Sequence, residues 1–242
     1  MWSRIFFALS VITLLVLSAC TDEEIFEPVE KDRTYLHFLN AYPGIQSVDI
    51  TFESSGEIQS VARRVKFLNS WPNSGYASLL TALDTINGQG GVDIHVANHA
   101  TREELVPAIN NNLRGDERYT FILVDSFSKP IVVRAIDNVE AETPAAYVRM
   151  MNVNRFVQSA SLETKDGQGI IRSLNFLNYS GYQSLEPGTY TFYFVDDRSR
   201  SILDSIPHVN LRFNKTYSFY LTHDPEGSPV GGLKVMESTV RP

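Results

Sequence analysis

Cysteine is nearly absent: the 242-residue chain carries one, Cys20, ahead of everything that reads as foldable. A single thiol forms no intramolecular disulfide, and cysteine-based zinc sites or a Cys/His nucleophile in the folded part are excluded. The fold must therefore be held by buried apolar area alone. Positive charge is also scarce, 21 Lys and Arg against 28 Asp and Glu, with no basic run. That excludes the basic footprint which nucleic acid or an anionic lipid surface requires. Long hydrophobic runs are missing too. The longest, Ile5–Leu17, has 13 residues, whereas roughly 20 are needed to span the hydrocarbon core of a bilayer. There is no Gly-x-Ser-x-Gly segment, and the glycine-rich stretch Gly88–Gly91 lacks the Lys-Ser/Thr of a phosphate-binding loop. What remains is 43% hydrophobic and 20% charged, an ordinary globular composition.

The short run has the length of a signal-peptide core behind the charged start at Arg4. It closes on Leu17, Ser18, Ala19 and Cys20, which resemble the lipobox of bacterial lipoproteins. Residues 1–19 are thus expected to be a signal peptide and Cys20 the lipidated residue. The acyl chains on Cys20 would hold the protein at a membrane, since two or more chains suffice for stable anchoring. Removing 1–19 takes Arg4 with it and leaves a net charge of −8. Residues 20–34 read as an acidic, flexible tether. Asp22, Glu23 and Glu24, directly after the cysteine, resemble the surface-export signal of Bacteroidetes-type lipoproteins, and the alternative is a periplasm-facing location.

An internal repeat sets the architecture. Tyr35–Asn40 matches Tyr147–Asn152 at an offset of 112, and Phe67–Asn69 matches Phe176–Asn178 at 109. Ser74–Tyr76 matches Ser180–Tyr182 at 106, and Asn112–Arg114 matches Asn210–Arg212 at 98, where Tyr119 also meets Tyr217. The offset only shrinks, as it does when loops shorten between fixed strands. Leu36, Phe38, Val48, Ile50 and Phe52 alternate with polar residues, the period of half-buried strands. Ser78–Leu83 and Arg102–Asn110 are the only stretches with helical character. The expectation is an all-β chain of two tandem Ig-like antiparallel β-sandwiches, residues 35–139 and 145–242, joined by a linker at 140–144 too short to keep them apart.

Leu36–Ala41, Pro43, Val48–Ile50, Ser74–Tyr76, Leu113–Gly115, Ala135–Asn138 and Pro187–Thr191 resemble segments of the bacterial domain-of-unknown-function family 4397. The resemblance implies an extracytoplasmic Ig-like module, often found in lipoproteins, and implies no activity. The second copy departs from the pattern where Asp49 becomes Ser161 and Pro43 becomes Arg155.

No catalytic residue, metal site or cofactor is expected. His95 and His99 are four apart but fall in and just after a strand, so they do not share a helix face. Adjacent carboxylates such as Asp196 and Asp197 point apart in a strand. The candidate ligand contacts are Trp71, in an insertion lacking from the second copy, and Tyr42, in the loop after the first strand. Each is an aromatic that could stack on a glycan or peptide, against the blander reading of Trp71 as a ring folded back over the sandwich edge. Asp84–Ile86 and Asp204–Ile206 resemble an O-glycosylation sequon, with Thr85 and Ser205 as acceptors. The function expected is a non-enzymatic binding or adhesion module engaging an external glycan or protein through loops at one end of a sandwich. The alternative is a structural or assembly subunit of an envelope complex facing the periplasm, with a hydrolase as a remote third.

Overall fold

The computed structural model describes residues 33–54, 56–72, 77–80, 83–84, 89–115, 117–127, 129–137, 139 and 145–237. Cys20, Thr85 and the 140–144 linker lie outside them. The first copy comprises β1 (Arg33–Asn40), β2 (Ser47–Ser54), β3 (Glu57–Lys66), β4 (Ser70–Trp71), β5 (Ala77–Leu80), β6 (Leu83–Asp84), β7 (Gln89–Asn98), β8 (Glu104–Arg114), β9 (Arg118–Asp125) and β10 (Pro130–Ile136). The second comprises β11 (Ala146–Asn152), β12 (Ser159–Thr164), β13 (Gly169–Asn175), β14 (Asn178–Tyr179), β15 (Gln183–Leu185), β16 (Gly188–Asp196), β17 (Ile202–Leu211), β18 (Lys215–His223) and β19 (Pro229–Glu237).

The protein is all-β, and the described residues include no helix. The helical expectation for Arg102–Asn110 is overturned: Glu104 onward is β8, paired antiparallel to β7. Ile109, Asn111 and Leu113 turn inward in alternation with exposed neighbours, and Val106 rejoins the core beyond a register shift, which outweighs local helix propensity. Ser78–Leu80 likewise belongs to β5, paired with β1.

Each copy is two sheets. In the first, an inner sheet β10-β9-β1 carries β4 and β5 at its far edge, and an outer sheet runs β3-β2-β7-β8 with β6 also on β7. In the second, the inner sheet β19-β18-β11 carries β14 and β15, and the outer sheet runs β13-β12-β16-β17. Pairing is antiparallel except β1 with β9 and β11 with β18, the same parallel pair in both copies. The repeat extends to single hydrogen bonds at the sequence offsets. Leu68 N donates to Asn40 O and Leu177 N to Asn152 O, and Ala41 N to Leu123 O as Val153 N does to Leu221 O. Arg114 N donates to the Tyr119 hydroxyl, and Arg212 N to that of Tyr217.

Three apolar layers follow. Leu36, Phe38, Ile50, Phe52, Ile94 and Phe121 fill the first sandwich; Met150, Leu162, Phe192, Phe194 and Phe219 fill the second. A third cluster, Leu39, Ala41, Ile122, Val124, Ala135, Met151, Val153 and Tyr220, lies between the two inner sheets. The stack is therefore outer, inner, inner, outer, and the inner strands are buried on both faces, as parallel-containing sheets commonly are. All seven residues of β11 are buried. The half-buried reading of β1 is corrected here: His37 and Leu39, on the face turned away from Leu36 and Phe38, are buried as well, because the second sandwich covers that face.

A polar cluster around Arg149 is built into the interface. Arg149 is ion-paired with Asp137; its Nε donates to Ser218 Oγ at 2.8 Å and its Nη1 to Ile136 O at 2.9 Å. Thr120 Oγ1 donates to Asp137, and the Arg149 guanidinium lies 4.8 Å over the Tyr182 ring. Burial pushes the Tyr182 hydroxyl pKa up, with Asp137 adding to it against the lowering pull of Arg149.

Candidate functional site

The connections that follow β1, β9, β11 and β18 gather at one end of the molecule. The buried amides of Asn40 and Asn152 shape two of them. Asn40 Nδ2 donates to Val65 O at 3.0 Å while its Oδ1 accepts from Tyr42 N at 3.1 Å. Asn152 does the same with Leu174 O and Asn154 N, and Asn154 in turn accepts from Phe156 N at 2.9 Å. An asparagine at the end of a strand thus turns the chain by bonding its own backbone two residues on. The loops it shapes hold Tyr42 in one copy and Phe156 in the other.

Across the seam, Asp125 at the end of β9 meets two side chains of the second sandwich. Arg155 Nη1 is 3.0 Å away and His223 Nε2 3.4 Å. His223 Nδ1 lies 2.8 Å from Asp224 O, and Thr222 Oγ1 donates to Ala41 O at 3.1 Å. Phe156 packs edge-on to His223 with ring centres 4.9 Å apart, and Arg155 lies 4.7 Å over its other neighbour face. The Tyr42 ring lies over Gly44, where a Cβ would fall 2.6 Å from it. Burial raises the Tyr42 pKa, and Asp125 adds to this against a smaller opposing effect of Arg155.

Above this cluster stand exposed aromatics. Phe127, at the tip of the β9–β10 hairpin, is 76% exposed and meets Phe176 edge-on at 5.8 Å. Phe156 is 57% exposed. Phe127 and Phe176 make an apolar ring contact between the two copies at the surface, and apolar groups clustered in solvent are candidates for contact sites. Ion pairs beneath lock the loops, so the rings are presented without a large ordering cost on binding. The arrangement is one for contact through ring faces.

The two sequence-selected aromatics fare differently. Tyr42 belongs to this end and is half-buried. Trp71 is not in a loop: it sits on β4 opposite Phe38 and stacks on Phe52 with ring centres 5.6 Å apart and planes 25° from parallel. Half-buried against the first core, it serves as an edge cover. Ser205 is exposed on β17, its N–H donating to Asp204 Oδ1 at 2.7 Å. Phe127 and Phe156 were missed because a lone Phe in a polar loop carries no periodic signal. The residues of the Asp125 cluster were legible only as repeat counterparts, Asp125 of His223 and Arg155 of Pro43.

His95 and His99 do not converge. His95 lies 3.7 Å from Glu53 and 3.5 Å from Glu104, whereas His99 Nδ1 is 2.7 Å from Asp49. Among the described residues no group of three or more His, Cys, Asp or Glu could hold a metal ion. Asp196 and Asp197 point apart as adjacent strand residues should: Asp196 caps the turn at Ser199 while Asp197 accepts from Ser159 and Ser161.

No protein-family profile and no curated relative matches the chain. Among solved structures it is similar to a family 26 carbohydrate-binding module from Eubacterium rectale, crystallised with maltoheptaose. That match has 8% identity and a TM-score of 0.27, and covers 86% of this chain and 97% of that one. A candidate cell adhesion protein from Bacteroides uniformis matches at 8% identity and a TM-score of 0.27, over 86% and 98%. The tip fimbrial protein Mfa3 from Porphyromonas gingivalis matches at 8% identity and 0.27, over 85% and 99%.

Proposed function

We propose that the protein is a lipid-anchored, non-enzymatic binding module of the cell envelope that contacts an external macromolecule through its aromatic loop end. The carrying observation is the pair of exposed rings, Phe127 and Phe156, one from each sandwich, over the Asp125–Arg155–His223 cluster. Chain direction supports the reading. β1 enters at Arg33 and reaches Asn40 after eight residues, roughly 26 Å along an extended strand. The loop end is therefore opposite the point where the tether would enter. Cys20 carries the anchor in this reading, the protein sits on the outer face of the outer membrane, and the fold belongs with domain-of-unknown-function family 4397.

The test is adherence. Cells displaying the full chain are applied to immobilised glycans and matrix proteins, with Phe127→Ser/Phe156→Ser as the comparison. Loss of adherence at unchanged surface level supports the reading. Equal adherence removes the loop end as the contact. Cys20→Ala should give an unlipidated species absent from the membrane fraction, and protease shaving of intact cells should digest both sandwiches. Protection from shaving would favour a periplasmic assembly subunit. Intact-mass measurement decides whether Thr85 and Ser205 carry sugar.

A further inference from the structure

At the opposite end of the first sandwich, the open edge between β8 and β10 forms a polar groove of about 790 Å³, lined by Asn110, Asn112, Arg114, Glu117, Tyr119 and Arg134 among others. We propose that this groove is a binding site for an acidic saccharide, with Arg114 and Arg134 holding the carboxylate and the Asn110 and Asn112 amides reading hydroxyls. The site is separate from the loop end and does not depend on it.

The groove is fixed in place by its own bonds. The Tyr119 hydroxyl accepts from Arg114 N at 3.0 Å and donates to Glu117. Burial, together with the Glu117 carboxylate, pushes the Tyr119 pKa up to about 12, so the ring stays a neutral donor. Glu117 is committed to that bond. Arg134 lies 5.7 Å over the Tyr119 ring, and its Nη1 donates to Asn112 O at 3.2 Å. That bond uses one of five guanidinium N–H groups. Asp93 at the groove's margin is likewise committed, to Asn110 Nδ2 at 3.0 Å, which leaves Asn110 its Oδ1 and one N–H. A planar guanidinium held in place suits a carboxylate in two-point contact. Amides that both donate and accept suit vicinal hydroxyls better than an apolar peptide side chain. The volume lies within the usual range for ligand sites.

The second copy shows that the groove is a local construction and no general property of the fold. The frame is kept: Asn210, Arg212 and Tyr217 repeat Asn112, Arg114 and Tyr119 at an offset of 98, with Arg212 N on the Tyr217 hydroxyl at 2.8 Å. The lining is not. Glu117 becomes Lys215 and Asn110 becomes His208, and the strand register puts Leu233, opposite Phe219, where Arg134 stands opposite Phe121. There β19 closes onto β17, with Gly231 N donating to Asp204 Oδ2 at 2.6 Å. A Cβ at Gly231 would lie 2.3 Å from the Phe194 ring, so glycine is what permits the closure. Val132 holds that place in the first copy, opposite Leu123 as Gly231 is opposite Leu221, and there the edge stays open.

The experiment is titration calorimetry on the full chain in detergent micelles. The probes are oligogalacturonate, its methyl ester, sialyllactose, cellohexaose and poly-glutamate. The expected result is binding of at least one acidic saccharide, weakened about tenfold or more by Arg134→Gln and by Arg114→Gln, each with an unchanged melting temperature. Where oligogalacturonate is the binder, its methyl ester should lose a similar factor. Binding of no acidic saccharide, cellohexaose binding as tightly, or poly-glutamate binding as tightly would each overturn the proposal.

Discussion

The two sandwiches solve one backbone problem with different chemistry. In each, the strand pair β2–β3 or β12–β13 shifts register at a bulge, and the bulged residue, Arg64 or Ser173, has a positive φ. Its N–H is met in the first copy by Asp49 Oδ1 at 2.8 Å and in the second by Ser161 Oγ at 3.2 Å. The carboxylate has not vanished from the second copy. It reappears across the sheet as Asp197, in the place of His99, and accepts from Ser159 and Ser161. Arg102 reaches Asp49 in one copy, and Arg200 lies 3.9 Å from Asp197 in the other. What the fold requires is an acceptor at the bulge and an anion beside the arginine, and either strand can supply the anion. The replacement of Asp49 by Ser161 therefore does not remove the carboxylate from the second copy.

The largest asymmetry is Arg149, whose counterpart in the first copy is His37. Arg149→Ala leaves Asp137 buried without its cation and should cost about 3–5 kcal/mol in urea unfolding. The double variant Arg149→Met/Asp137→Leu should recover most of that loss; a single variant as stable as the parent would mean the pair contributes little. Trp71, opposite Phe38, has the small Ser180 beside Met150 as its counterpart in the second copy. Trp71→Ala removes its stack on Phe52 and should destabilise by about 2 kcal/mol, below the range for a fully buried ring because Trp71 is half-exposed. Unchanged stability with lost ligand binding would restore it as a contact residue.

Gly231→Val puts the first copy's residue into the closed edge of the second. Overpacking against Phe194 should cost about 1–3 kcal/mol. The reverse change, Val132→Gly, removes a side chain packed against the first core and should cost about 1 kcal/mol or more; melting curves of the two would rank them. Asp49→Ser gives the first copy the second's bulge acceptor and should cost about 1 kcal/mol at neutral pH.

This last effect should depend on pH. Burial alone would raise the Asp49 pKa, but the Arg64 N–H, His99 and Arg102 outweigh it and hold the pKa below the ordinary 3.8. The folded carboxylate then binds fewer protons than the unfolded one near pH 4. Its contribution is complete above that range and is lost as pH falls through the folded pKa. The stability difference between parent and Asp49→Ser should shrink as pH drops below about 4, and a constant difference down to pH 2 would refute the assignment. The smallest effect on stability is expected for Phe127→Ser, within about 0.5 kcal/mol because the ring is exposed. Its effect on adherence should nonetheless be the clearest of the set.

The repeat was readable because matched strands carry matched core residues. Leu36 and Phe38 align with Val148 and Met150, and all four are fully buried. Asn40 and Asn152 were visible as a match, but their work as loop-shaping amides was not, since a buried asparagine looks like any other in a string. The groove was illegible for a related reason. Asn112, Arg114 and Tyr119 were noticed because they repeat, yet the ligand-facing character comes from Arg134 and Glu117, which do not repeat and lie on other strands.

The amino-acid sequence by itself determined the all-β class, the alternation that builds each sandwich and the duplication, because period-2 burial and turn chemistry are local. Only the tertiary structure decided that the inner sheets meet. That meeting buries His37 and Arg149, turns alternating strands into doubly covered ones and brings Asp125 to His223. Contacts across that layer join residues as far apart as Ala41 and Thr222. No local pattern encodes such a pairing, since it depends on which apolar faces remain uncovered once each sandwich has closed.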